Sequence, residues 1–359
     1  MYDLTSLARD LAPGDIASRE STMWRYHELL PVREARSVLT LGEGITPLLA
    51  APRLAPVGLE RRARLLVKDE GQNPTGSFKA RGMAAALSRA VELGARGVVT
   101  PTAGNAGAAM AAYAARAGIP AYVSAPKDAP ESCILQARCY GAEVDLIAGL
   151  ISDAGHLAAD VARQRGWFNV ATLREPYRAE GKKTMGLELA EQLGWRLPGA
   201  IIYPAGGGTG IVGMWKAFAE LRELGWLQDG QLPKMIIVQA EGCAPLVRAL
   251  HEGKDEAETW PSSDARTIAT GLRVPSAIGD RLILQAVRES GGTGLTVSDD
   301  EMLVMTRYAA QREGMLIALE AAATIAAYHK LLATHVLLPE TETVLFFTGS
   351  GLPDVGRFV

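Results

Sequence analysis

The chain has 359 residues, 48% hydrophobic and 21% charged, with a net charge of -3; that length holds one large domain or two ordinary ones, and the near-neutral balance argues against a polyanion-binding surface. Three cysteines, Cys133, Cys139 and Cys243, show no CxxC spacing, which speaks against a disulfide framework and a structural zinc site. The opening "MYDLTSLARDLAPGD" lacks the basic and apolar regions of a signal peptide, and no apolar run reaches the roughly 18–20 residues that span a bilayer, so a soluble cytoplasmic protein with no nucleic-acid or membrane partner is expected.

The segment up to Ala50 is mixed and closes on "TLGEGITPLLA". Short apolar runs then predict strands over 63–70, 97–101, 121–126, 143–149 and 167–171. Apolar residues at helical spacing, each stretch ending at glycine, predict helices over 105–118, 130–141 and 152–166. A strand over 200–205, a helix over 211–224 and strands over 235–241 and 343–349 continue the pattern. Strands alternating with helices mean crossover units and a mostly parallel sheet. The expected fold class is α/β, with two domains that each carry such a sheet flanked by helices. Hinges are placed near Gly82 and in "REPYRAEGKK", 174–183. The larger domain is then 1–82 with 178–359, and the smaller, mobile one 83–177.

Three stretches carry chemistry. In "NPTGSFKARG", Asn73 to Gly82, small turn-forming residues and Phe78 surround Lys79, a setting for a lysine that meets a carbonyl carbon rather than water. "TPTAGNAGAAM" from Thr100 and "PAGGGTGIVGMW" from Pro204 each follow a predicted strand and open a predicted helix. Small residues there bring backbone N–H groups close to a ligand, and a helix N-terminus favours an anion. The run "GGGTG" lacks the Lys-Ser or Lys-Thr of a Walker loop and the spacing of a dinucleotide fingerprint. What remains is a small phosphate, and a lysine beside a phosphate cradle and a second anion loop points to pyridoxal phosphate.

"PTGSFKARG", "TAGNAG", "GGGTG" and the terminal "FFTGSGL" resemble the pyridoxal-phosphate enzymes of the tryptophan-synthase β-subunit fold. Within them, "MWRYHELLP", "TLGEGITPLL" and "PYRAEGKKTMGLELAEQLGW" are similar to signatures of the threonine synthase family. The resemblance spans about Met23 to Leu352 and implies pyridoxal 5′-phosphate in a cleft between two domains. It implies that Lys79 forms the Schiff base, that Phe78 packs near the ring and that Asn105 bonds the cofactor's 3′-oxygen. Gly206, Gly207, Gly208, Thr209 and Gly210 would hold the phosphate, and Thr348 the pyridine nitrogen. Thr102, Ala103, Gly104, Asn105 and Ala106 would surround the substrate carboxylate, largely through backbone amides, and Arg178 would help bind a substrate phosphate. No metal ligand is expected, and a homodimer is expected from the resemblance alone.

The chemistry fits these residue types. Imine formation needs a neutral amine, which an electropositive setting supplies by depressing a lysine's pKa. The freed amine then serves as general base. A hydroxyl at the pyridine nitrogen leaves the ring mostly neutral, which favours elimination and replacement over transamination. The duller roles are helix cap for Asn105 and a helix-start carboxylate for Glu320.

The pattern departs from the family at Thr172 and Leu173, where an asparagine-serine pair is usual, and at Glu175, where asparagine is usual; Ala103 stands where many relatives have serine. Leucine donates no hydrogen bond, and a carboxylate pointed inward would repel a phosphate dianion. Arg174, Arg178 and Lys182 are candidates to fill the gap, against the alternative that all three are surface charges. The expected reaction is conversion of O-phospho-L-homoserine and water to L-threonine and phosphate. A threonine or serine ammonia-lyase, which needs no phosphate site, is the alternative, and a non-catalytic cofactor- or amino-acid-binding relative is a further one.

Overall fold

The computed structural model describes residues 2–358. In chain order it begins with helices α1 (Leu4–Asp10) and α2 (Pro13–Ala17), strands β1 (Leu48–Ala50) and β2 (Leu65–Asp69), and helix α3 (Lys79–Glu92). There follow β3 (Val98–Pro101), α4 (Asn105–Ala117), β4 (Ala121–Pro126), α5 (Glu131–Cys139), β5 (Glu143–Ile147), α6 (Ile151–Arg165) and β6 (Phe168–Asn169). The chain continues through α7 (Tyr177–Gln192), β7 (Ala200–Pro204), α8 (Thr209–Glu223), β8 (Lys234–Ala240), α9 (Pro245–His251) and α10 (Asp280–Glu289). It ends with β9 (Gly294–Val297), α11 (Asp299–Glu313), α12 (Leu319–Ala333) and β10 (Thr343–Phe347).

The strands form two sheets, ordered β5-β4-β3-β6 and β1-β2-β10-β7-β8-β9. Pairing is parallel throughout except between β1 and β2. The α/β class with mostly parallel sheets is therefore as the sequence indicates. β1 and β9 have no counterpart in the sequence reading: both are short and neither is buried throughout, with Leu49 and Ala50 exposed in β1 and Leu295 and Thr296 half-buried in β9.

The chain divides into two compact units. One comprises the chain up to Ile45, Asn73–Glu188 and Gly213–Trp226; the other comprises Thr46–Gln72, Leu189–Val212 and the chain from Leu227 onward. The four-stranded sheet lies wholly within 83–177, but its unit is wider than that segment because α3, α7 and α8 pack together in it. The two segments read as hinges are instead inside helices: Gly82 in α3, and residues from Tyr177 in α7.

In the first unit, Ala80, Met83, Ala84 and Leu87 of α3 pack with Ala106, Ala109, Met110 and Tyr113 of α4. Alanine lets the two helices approach, and the fully buried Met83 and Leu87 each contribute roughly 2 kcal/mol. Two glycines hold α7 close to its neighbours. A Cβ at Gly181 would lie 2.2 Å from the Arg81 carbonyl oxygen, and one at Gly213 would lie 2.9 Å from the Ala179 carbonyl oxygen. Buried Arg81 donates from Nη1 to Glu188 Oε2 at 2.8 Å, and the same carboxylate oxygen accepts the Ile45 amide at 2.7 Å. Glu43 is fully buried and accepts the indole N–H of Trp24 at 2.8 Å and the hydroxyl of Tyr113 at 2.5 Å, which fixes the "TLGEG" turn to α4. Gly44 in that turn has φ +100°, and a Cβ there would meet the Met23 nitrogen at 2.4 Å.

In the second unit, Leu65, Val67, Ile202, Ile236, Val238, Leu345 and Phe347 of the six-stranded sheet share a core with Ala322, Ala323, Ile325 and Ala326 of α12. Lys68, buried in β2, donates to the Thr46 carbonyl oxygen at 2.6 Å and to Gln192 Oε1 at 2.8 Å. The Lys68 ammonium is thus met by two acceptor oxygens inside the core.

Candidate active site

Lys79 is the first residue of α3, and the turn that delivers it is strained. Thr75 has φ +63°, a left-handed conformation that costs a non-glycine residue about 1–2 kcal/mol. The hydroxyls of Thr75 and Ser77 are buried and have no hydrogen-bond partner among the described residues. Buried polar groups are normally satisfied, so this turn has donors and acceptors in place for a polar ligand. The Lys79 Nζ lies 4.0 Å from the centroid of the Phe78 ring.

The second loop of this unit runs from β3 into α4. Gly104 caps the helix with φ +155°, and Asn105 is its first helical residue, not its cap. Thr102 folds its hydroxyl back on the loop: Oγ1 donates to the Gly104 carbonyl at 2.7 Å and accepts the amides of Gly104 and Gly107, each at 3.0 Å. That hydroxyl is saturated, so Thr102 shapes the loop. The opening N–H groups of a helix have no partner four residues back, and in α4 these belong to Asn105 and Ala106, just after Ala103 and Gly104. Cys133 on α5 donates its thiol to Asn105 Oδ1 at 3.4 Å, which leaves the amide nitrogen of Asn105 to donate elsewhere. The sequence reading missed Cys133: nothing in the spacing of two residues 28 apart signals that contact.

The start of α7 is the third part. Arg178 and Lys182, far from being surface charges, are 2% and 1% exposed. Arg174 is exposed. The Arg178 Nη1 donates to the Val170 carbonyl at 2.7 Å, and burial pulls its guanidinium down to about 10. Lys182 Nζ is 4.9 Å from the Phe78 centroid, on the same ring that Lys79 approaches. Burial, reinforced by Arg178 and Lys79, pulls the Lys182 ammonium well below the usual lysine range. Glu175 is buried, and its carboxylate accepts the Arg178 amide at 3.0 Å. Its charge is thereby turned to the helix start, where a carboxylate is favoured, although burial still raises its pKa.

In the second unit, the "GGGTG" run forms the β7–α8 turn, with Gly206 to Gly208 in the loop and Thr209 and Gly210 opening α8. The glycines are sterically required. A Cβ at Gly206 would sit 2.1 Å from the Gly271 carbonyl oxygen, and Gly208, at φ +63°, would meet Ile283 Cδ1 at 2.1 Å. Gly271 is itself held by Glu320, whose Oε1 accepts its amide at 2.8 Å. Glu320 therefore positions the backbone against which the glycine loop rests. Thr348 follows β10 and is buried, in a loop anchored where the Gly349 carbonyl accepts the Ala318 amide at 3.1 Å.

A family model for pyridoxal-phosphate dependent enzymes matches residues 39–349. The threonine synthase of Methanosarcina acetivorans is 37% identical over 356 residues, covering 99% of this chain and 85% of that protein. The threonine synthase of Methanocaldococcus jannaschii is 34% identical, covering 99% and 86%. Among solved structures, a threonine deaminase is 28% identical with a TM-score of 0.69, covering 85% of this chain and 92% of that one. A pyridoxal 5′-phosphate-dependent aspartate racemase, 24% identical with a TM-score of 0.73 and covering 87% and 92%, shares the fold. The lysine turn, the glycine-bounded helix starts and the two parallel sheets are those of a pyridoxal-phosphate-dependent enzyme. Within that class, the chain belongs to the threonine synthase family.

The residues present fit that cofactor. They offer an amine at Lys79, two buried hydroxyls without partners among the described residues beside it, and a loop in which Gly206 and Gly208 have no room for a side chain, ahead of a helix N-terminus of the kind that favours an anion.

Proposed function

We propose that the protein converts O-phospho-L-homoserine and water to L-threonine and phosphate. The observation that carries this reading is the buried Arg178 at the start of α7, in a chain that aligns along nearly its whole length with threonine synthases. Lys79 is the residue that condenses with the cofactor's aldehyde, with Phe78 against the ring. Asn105 donates its amide to the ring oxygen and Thr348 its hydroxyl to the pyridine nitrogen. Gly206, Gly207, Gly208, Thr209 and Gly210 hold the cofactor's phosphate through their amides. The opening amides of α4, with Ala103, Gly104, Asn105 and Ala106, bind the substrate carboxylate, and Arg178 binds the substrate's phosphate.

Bound there, pyridoxal phosphate supplies the electron sink that makes the Cα and Cβ protons removable. The Lys79 amine carries those protons. The bond from Cγ to the phosphate oxygen breaks, Cγ gains a proton, and Cβ exchanges a proton for the hydroxyl of water. Burial around Phe78 keeps bulk water from competing for the carried protons.

The second reading is an ammonia-lyase acting on threonine or serine. The 28% identity to a threonine deaminase structure favours it, as do Thr172 and Leu173, which offer only one side-chain hydrogen-bonding group before Arg178. Parallel assays separate the two. Phosphate release from O-phospho-L-homoserine, with threonine as product, supports the synthase. Formation of 2-oxobutanoate from L-threonine without phosphate release overturns it. The proposal includes a cytoplasmic homodimer, for which light scattering at the mass of one chain is the contrary result. It also includes a mobile smaller part over 83–177, for which equal hydrogen-exchange rates there with and without substrate are the contrary result.

A further inference from the structure

The chain up to Ala17 is held to the fold by few apolar side chains. α1 buries Leu4 and α2 buries Ile16, with Leu11 buried between them. Helices of seven and five residues are not stable in water on their own, so the segment keeps its shape only while docked. A segment with so little buried apolar surface opens at the low end of a protein's stability range.

Its first described residue meets a closed set of charges. Lys183 of α7 pairs with Glu180 and with Glu220 of α8, each at 2.8 Å. Lys216 of α8 pairs with the same two carboxylates. Tyr2 lies against this set. Its hydroxyl donates to Glu180 Oε2 at 2.9 Å, and its ring centroid is 4.0 Å from the Lys183 ammonium and 4.9 Å from that of Lys216. The Lys183 side chain has no solvent exposure. An aromatic cover favours the two cations and lowers the local dielectric, which strengthens the ion pairs.

The same charges fix α7 against α8 where the two backbones are close. A Cβ at Gly213 of α8 would lie 2.9 Å from both the Ala179 carbonyl oxygen and the Lys183 amide nitrogen, and one at Gly186 of α7 would lie 3.2 Å from Met214 Cα. Gly213 comes one helical turn after Thr209, the first residue of α8 and a member of the glycine run. The helix is continuous there, so its seating on α7 is felt at that first turn.

We propose that the N-terminal segment is a strap whose docking, through Tyr2 and the charges of Glu180, Lys183, Lys216 and Glu220, sets the grip of the α8 start on the cofactor's phosphate. Tyr2 is then a positioning residue that acts through α8. This rests on the assignment of that phosphate to the glycine run. With the strap docked, the ion pairs are covered and α8 is held in register with α7. With it detached, water reaches Lys183 and Glu180, and the pairs weaken toward the small worth of exposed ones. Linkage makes the coupling reciprocal: the factor by which docking tightens cofactor binding is the factor by which the cofactor favours docking.

Two measurements on the full chain test this. The first titrates the cofactor-free protein, by fluorescence, with pyridoxal 5′-phosphate and with pyridoxal, which lacks the phosphate. Tyr2→Ala should weaken the phosphate ester by about 2- to 30-fold, the range carried through side-chain networks, and leave pyridoxal within about twofold of wild type. Tyr2→Phe, which keeps the ring and loses the hydroxyl, should fall between the two. In a Glu180→Gln background, Tyr2→Ala should add nothing. The second needs no variant: the amides of Leu4–Asp10 should exchange hydrogen more slowly with the phosphate ester bound than with pyridoxal bound. Equal weakening of both ligands by Tyr2→Ala, no weakening of the phosphate ester, full additivity with Glu180→Gln, or exchange in α1 that ignores the phosphate each overturns the proposal. Wild-type protein that binds pyridoxal as tightly as its phosphate ester instead overturns the assignment of the phosphate to the glycine run, a failure visible before any variant is made.

Discussion

Cys133 on α5 and Asn105 on α4 are joined by a hydrogen bond, with the thiol donating to Asn105 Oδ1 at 3.4 Å. This contact selects one of the two orientations open to the amide. The nitrogen, not the oxygen, is presented away from Cys133; in the proposed function it is the donor to the cofactor's ring oxygen.

Cys133→Ala removes that orienting donor. Cofactor affinity should fall by about 2- to 10-fold, the worth of one neutral hydrogen bond. Cys133→Ser retains a hydroxyl donor and should stay near wild type. Fluorescence titration of the cofactor-free protein measures both, and identical affinities for Ala, Ser and wild type would remove Cys133 from any positioning role.

Lys79→Ala should abolish the visible absorbance of the purified protein and lower turnover by at least about 10²–10⁴-fold, as expected for loss of a proton-carrying group. Retention of both would refute the assignment of Lys79.

Gly206→Ala places a methyl 2.1 Å from the Gly271 carbonyl oxygen, so the loop must move. A cost of about 1–3 kcal/mol is expected, with loss of cofactor on dialysis. Gly14→Ala is the control, since a Cβ there meets nothing within 4 Å. Dialysed samples of the two variants with equal cofactor content would contradict the cradle.

Breaking the buried pair of Arg81 and Glu188 strands a charge in the first unit. Either Arg81→Met or Glu188→Gln should lower stability by about 3–5 kcal/mol. The double variant should recover part of it, because it leaves no unmatched ion. Urea midpoints for the four proteins give the coupling, and simple additivity would mean that the pair does not act as a unit.

The pH dependence of Lys182 has a definite sign. Its folded pKa lies below the ordinary lysine value of 10.5, so the fold favours the neutral amine. The stabilisation from that preference is present above about 10.5 and is lost as pH falls through the folded value. Below about 10.5, holding this group in the fold therefore costs stability, and Lys182→Met should raise the Tm of the cofactor-free protein at pH 7. That gain should shrink as pH is raised toward 10.5. Arg178, Lys79 and Glu175 face the same group and are present in both proteins. A gain independent of pH would show that packing, not charge, separates the two.

The sequence reveals the strands that sit in apolar runs, the short β3 and β6 included, and the glycine turns that follow β3 and β7, because strand and turn signals are local. β1 and β9 escape because each is set by pairing with a neighbour, Leu48 against Lys68 and Leu295 against Val238, rather than by its own composition. The charges of α7 mislead for a related reason. Surface charge is the alternative for Arg178 and Lys182 because nothing near them in the sequence shows their burial, and the Glu220 that meets their neighbour Lys183 comes from α8. The partnership of Arg81 with Glu188 spans 107 residues and leaves no trace in either one's neighbours. The lysine turn and the two helix starts are legible because their chemistry is compressed into ten residues or so. What holds them, Cys133, Glu320 and Gly271, comes from elsewhere in the chain.

The attachment of Trp24 to Glu43 gives the first unit an optical readout. An indole N–H held 2.8 Å from a buried carboxylate oxygen emits in a fixed local field, which differs from that of hydrated tryptophan. If the N-terminal segment detaches, the indole exchanges that carboxylate for solvent dipoles and its emission colour changes. A protein carrying Trp24 as its single tryptophan would then report the docking of its own N-terminal segment in real time, without an added dye.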